Sequence, residues 1–158
     1  MNLIACTLPG GRVAIVVPVI SLDDPQGFTD QQAFDRAMAK DLPAGALNLR
    51  PVAPAELPTR RFRNAWRQNP DGSIREDLPE CRLQRLVDLR VDRDRRLGAS
   101  DAKMLKATEQ GTAQEQTDWK AYRQTLRGLT ATIQTDLQAL ATADLIEAYT
   151  PASPVEPP

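Results

Sequence analysis

Asp118-Trp-Lys-Ala-Tyr-Arg-Gln-Thr-Leu-Arg-Gly-Leu129 carries Trp119, Tyr122, Leu126 and Leu129 at three- and four-residue spacing, which lines them along one face of an α-helix. This helix is the best hydrophobic anchor in the chain. Thr112 and Glu115 form a capping-box pair that opens it, and Gly111 ends the helical segment before it. A turn this short folds the two helices back on one another as an antiparallel hairpin.

Upstream, Asp77-Leu-Pro-Glu80 is a helix start: Asp77 can cap free amides, Pro79 suits the first turn and Glu80 sits at the capping-box position. The predicted helix covers 78–96, with Leu83, Leu86, Val87 and Leu89 as a narrow stripe that calls for one packing partner. Gly98 and Ser100 predict a break or kink, after which 101–110 resumes helically with Met104 and Leu105 inward. Downstream, Thr142-Ala-Asp-Leu-Ile-Glu-Ala-Tyr149 reads as one last short helix. Residues 151–158 form a proline-rich tail that cannot build a core and is expected to be disordered unless something grips it.

The N-terminal third has a different texture. Leu3-Ile-Ala-Cys-Thr-Leu8, Pro9-Gly-Gly11 and the β-branched run from Arg12 to Val19 read as two strands joined by a tight glycine turn. Asp23-Asp-Pro-Gln-Gly27 is a loop. Thr29 and Gln32 then open a helix with Ala33, Phe34, Ala37 and Met38 on one face, ending near Asp41. Leu47-Asn-Leu-Arg-Pro-Val52 alternates apolar and polar residues, as a half-buried strand does, and Pro51 places it at a sheet edge or ends it early. Asn69-Pro-Asp-Gly72 is a strong turn signal, for a short hairpin or a simple turn. The expected fold is α+β: a small N-terminal ββαβ unit over 1–56, a connector over 57–77, a helical region over 78–150 containing the hairpin, and the proline-rich tail over 151–158.

Composition narrows the function classes. Twenty basic and 21 acidic residues leave no global drive toward nucleic acid or an anionic membrane. The longest apolar run, Val13 to Ile20, is far short of a bilayer span. The N-terminus lacks the basic and apolar regions of a secretory signal, so synthesis in a cytoplasm is expected. With no histidine and two cysteines, the commonest general base and the commonest zinc ligand are missing together, and no metal or cofactor is expected. Cys6 and Cys81 read as small buried residues. Asp88, Asp92 and Asp94 sit among arginines that hold carboxylates ionised, the opposite of a raised-pKa acid catalyst. Neither a phosphate-binding loop nor a nucleophile motif occurs, and no enzyme activity is expected.

What remains is a binding protein. Phe62 and Trp66, with Arg60, Arg61, Arg63 and Arg67 around them, are expected on one side of a helical turn. Three readings are open: a plug at the junction of the two halves, a docking site on a partner, or a stacking platform for single-stranded nucleic acid, which the neutral charge balance argues against. The arginines of 82–96 alternate with aspartates, so a self-paired solvated helix and a polar protein interface both fit. Sixteen of the 20 basic residues are arginine, the residue that interfaces favour.

Leu57, Pro58, Arg60, Phe62, Arg63, Ala65 and Trp66 form a "LP-x-R-x-FR-x-AW" segment. Asp77-Leu-Pro79 follows in order, then Trp119, Tyr122-Arg123-Gln124 and Leu126-Arg127 as "W-x-x-YRQ-x-LR", and a closing Thr142-to-Pro151 element. In this order the segments resemble small proteins of bacteriophage tail gene clusters, associated with tail-fibre assembly or tail accessory roles. Gly128 stands where the family carries an acidic residue and Tyr149 where it carries Trp. The resemblance implies a non-enzymatic protein whose partners are fibre, baseplate or tail-tip subunits. Phe62, Arg63, Trp66, Trp119, Tyr122, Arg123 and Leu126 are the candidate partner-binding or junction residues. The leading expectation is an oligomeric structural component of the virion tail, since a tail like 151–158 needs something to hold it. The alternative is a transient fibre-assembly chaperone that is not retained in the particle.

Overall fold

A computed structural model describes residues 3–18 and 29–158. The expected loop at Asp23–Gly27 and the end of the second strand at Val19 lie outside the described residues. The fold is α+β, and the chain divides into two compact units, Met1–Asp77 and Leu78–Pro158.

In the first unit, β1 (Leu3–Thr7) is central in a three-stranded antiparallel sheet between β2 (Val13–Val16) and β3 (Leu47–Val52). Leu8-Pro9-Gly10-Gly11 turns the chain between β1 and β2, closed by Gly11 N–H to the Leu8 carbonyl at 3.0 Å. Gly10 takes φ +91°, a value a turn with proline before it reserves for glycine. Helix α1 (Asp30–Lys40) opens on the expected box: the Thr29 amide donates to Gln32 Oε1 at 2.9 Å, and the Gln32 amide donates back to Thr29 Oγ1. Ala33 and Ala37 are its buried residues, and Asp41 caps its end.

Two local expectations are corrected. β3 is an edge strand, but Val52 alone is buried; Leu47 and Leu49 face solvent. Asn48 adopts φ +53° beside a register shift opposite Ala5 and Thr7, and this bulge turns the first half of the strand off the core face. Phe62 and Trp66 do not share a helical turn. Residues Arg60–Ala65 form short 3₁₀ turns with a non-helical Phe62, and Trp66 begins β4 (Trp66–Gln68). β4 pairs with β5 (Ile74–Glu76) around the Asn69–Gly72 turn, so the hairpin alternative holds. Trp66 is buried in one cluster with Ala5, Val13 and Val52, and Thr7 Oγ1 meets Gln68 Oε1 at 2.7 Å, so the β4–β5 hairpin folds onto the sheet.

The second unit is helical. α2 (Leu78–Gln110) is 33 residues long, about 50 Å at the α-helical rise, and α3 (Ala113–Ala139) folds back along it as the expected hairpin. The break expected near Gly98 is absent. One glycine costs a helix only about 1 kcal/mol, and Ser100 stays helical by donating its hydroxyl to the Leu97 carbonyl at 2.7 Å. The Thr112 amide donates to Glu115 Oε2 at 2.6 Å and the Glu115 amide donates back to Thr112 Oγ1; hydrogen bonding from the Thr112 backbone, then from its hydroxyl, holds the Glu115 carboxyl below its ordinary pKa. A short α4 (Ala143–Ala148) is capped by Thr142 and precedes the tail.

Candidate functional site

The continuity of α2 sets what each of its faces does. Leu86, Arg93, Ser100 and Ala107 recur every seven residues, the seam spacing of two packed helices. Leu86, Ser100 and Ala107 are buried. On α3, Trp119, Leu126 and Ile133 answer with the same spacing, joined by Tyr122 and Leu137. Trp119 and Tyr122 meet edge to face, centroids 5.7 Å apart and planes at 82°, in a cluster with Ala107 and Leu126.

Two layers of this seam are polar. Arg123 on α3 donates to Ser100 Oγ at 2.6 Å, to the Leu97 carbonyl at 3.2 Å and to Asp101 at 2.5 Å. Arg93 on α2 reaches Thr130 Oγ1 on α3 and pairs with Asp94 at 2.5 Å. The layers lie seven residues apart on both helices, so they fix one antiparallel register.

The remaining arginines of α2 divide their work. Arg95 and Arg96 pair with Asp92 at 2.7 and 2.8 Å, and the Arg95 hydrogen bond, with the charges of both, holds the Asp92 carboxyl below the usual range. Arg82 and Arg85 reach off the helix, and Arg96 does so with its second nitrogen. Arg82 donates to the Leu140 carbonyl at 2.8 Å, Arg85 to the Tyr149 carbonyl at 2.6 Å and Arg96 to Ser153 Oγ at 2.9 Å. The Tyr149 hydroxyl donates to Asp136 at 2.6 Å; burial, then that bond, pushes its pKa up to about 12.

The apolar stripe of α2 also differs from expectation. Of Leu83, Leu86, Val87 and Leu89, only Leu86 is buried, and Leu105 faces out where it was expected inward. Leu83, Val87 and Val91 follow at four-residue spacing with exposures of 52%, 49% and 64%, a ridge on the outside of the hairpin. Which apolar row of α2 turns inward is decided by where α3 packs, and spacing along α2 alone does not fix that. A single helical register from 78 to 110 puts Leu86 and Ala107 on one face and Leu83, Val87 and Val91 on another. The ridge is the feature that sequence reasoning missed.

Of the candidate residues, Trp119, Tyr122 and Leu126 are buried in the hairpin core, with Arg123 bonded at its margin. Phe62 and Trp66 are buried in the first unit and Arg63 is exposed there. Among the described residues no cluster of three or more Cys, Asp or Glu is placed to hold a metal ion, and no helix is long and apolar enough to cross a membrane.

Residues 86–140 match the family model described as phage tail assembly chaperone protein. Over this stretch the chain is phage tail assembly chaperone-like. No curated protein and no solved structure gives a significant match. The chaperone-like segment starts at Leu86, the first buried leucine of the seam, and ends at Leu140, whose carbonyl Arg82 holds. It contains both polar layers and the aromatic cluster, and the ridge runs across its N-terminal edge.

Proposed function

We propose that the chain is a non-enzymatic assembly chaperone for a bacteriophage tail protein. It acts in the host cytoplasm through protein–protein contacts and is released before the particle matures. The observation that carries this reading is the coincidence of two things on one element. The family match falls on the α2–α3 hairpin, and α2 carries, beside the matched seam, a ridge of Leu83, Val87 and Val91 whose side chains stand about half exposed. A contiguous exposed apolar row on a small protein is characteristic of an interaction surface. A chaperone needs such a surface to cover the apolar face of a subunit until that subunit assembles.

The virion reading rested on the need for a neighbour to hold the proline-rich tail. Arg85 and Arg96 of the chain's own α2 hold its start, so the order of that segment calls for no neighbouring subunit.

The test is co-expression of the chain with the tail subunits encoded beside it, followed by affinity capture. A variant with Leu83→Gln, Val87→Gln and Val91→Gln keeps the helical circular dichroism of the parent, because these side chains contribute little to the core, and loses the captured subunit. Capture undiminished by the triple substitution would remove the ridge from the account.

A further inference from the structure

Thr150, Pro151 and Ser153 form one wall of a groove in the helical unit. Arg85, Leu89, Arg93 and Arg96 line it from α2 and Leu129 from α3. The contacts made to the segment are those that any extended peptide can accept: Arg85 donates to a backbone carbonyl and Arg96 to a small hydroxyl. Beyond Tyr149, Pro151, Pro154 and Pro157 are half-buried while the residues between them are exposed. That three-residue period belongs to a polyproline II helix, which presents one edge per turn and leaves its backbone carbonyls open to donors.

The seat is not filled. An open cleft lined by Asp88, Leu89 and Asp92 remains between the segment and α2, and the Arg85 Nε–H is buried with no acceptor among the described residues. Val155 is 91% exposed, so the distal half meets the helices at Pro154 and Pro157 rather than through the side chain between them. A groove with an unspent donor, holding residues 150–158 by one arginine hydrogen bond, Arg96 to Ser153, and by proline edges, is suited to exchange.

We propose that this groove is a recognition site for an extended, proline-bearing segment of another protein, and that residues 150–158 are its resident, displaceable occupant. The groove uses the face of α2 that carries Arg85, Asp92 and Arg96, distinct from the Leu83–Val91 ridge. It therefore stands apart from the chaperone reading and survives or fails separately.

The test uses the full chain and, as probe, a fluorescent peptide with the sequence of residues 149–158. Pro151→Gly, Pro154→Gly and Pro157→Gly together weaken the resident strap without touching the groove. By fluorescence anisotropy the peptide binds this variant about tenfold or more tightly than the parent chain, whose groove is occupied. Adding Arg96→Gln to the strap variant lowers that affinity again by about tenfold. Three results overturn the proposal: no saturable binding to a folded strap variant, equal binding to parent and variant, or binding indifferent to Arg96→Gln. Loss of helical circular dichroism in the strap variant would overturn it too, since the segment would then be a fixed part of the fold.

Discussion

Trp66 shows how a residue that reads as an interface candidate becomes a core residue once its neighbours are known. The residue is 1% exposed, packed with Ala5, Val13 and Val52, and its indole N–H has no acceptor among the described residues. Trp66→Ala should lower unfolding stability by about 3–5 kcal/mol, read from the shift of the urea midpoint. A loss below about 1 kcal/mol would mean the ring serves contacts outside the fold. Tyr149 gives a prediction with a sign. Its hydroxyl titrates at 10.0 in an unstructured chain and about 12 here, so between those values the unfolded chain holds fewer protons than the folded one. Stability from this group is complete below pH 10 and falls as pH rises toward 12. Tyr149→Phe abolishes that slope and, at neutral pH, costs about 1.5–3 kcal/mol for the lost bond to the Asp136 carboxylate. Denaturation followed across the alkaline range in both proteins checks it; parallel slopes would refute the assignment.

At the scale of elements, what could be read in advance was what local chemistry dictates. Thr29/Gln32 and Thr112/Glu115 cap their helices as their spacing says, and the proline–glycine and Asn69–Gly72 turns fall where they should. The misreadings share one cause. At Gly98, at Leu83 and at Leu49 the outcome is set by what lies opposite: a 27-residue α3 that stabilises α2 through its glycine, and a bulge that rotates β3. The arginines were ambiguous for the same reason, because their partners, from Thr130 on α3 to Leu140, Tyr149 and Ser153 beyond it, lie up to 64 residues away in sequence. Two glycines test the element account in opposite directions. A Cβ on Gly98 meets nothing within 4 Å, so Gly98→Ala should stabilise by about 0.4–1 kcal/mol. On Gly111 a Cβ would sit 2.7 Å from the Ala107 carbonyl oxygen, so Gly111→Ala should cost about 1–3 kcal/mol by prising open the hairpin turn. Thermal unfolding of the two variants beside the parent decides both; matching signs would contradict a helix that runs uninterrupted to a tight turn.

At the scale of the molecule, each unit closes its own core, and the family match falls wholly in the second. The hairpin unit combines an inner seam fixed by two polar layers, an outer apolar ridge and an arginine-held tail. The central claim is that this protein acts on a phage tail subunit and then leaves. Quantitative mass spectrometry of purified mature particles, set beside lysates of the infected cells, tests it most directly. The account predicts an abundant protein in the lysate and less than about one copy per mature particle. A fixed stoichiometry in the particle, at a multiple of about three or six against a tail protein of known symmetry, would contradict it and make the chain a structural part of the tail.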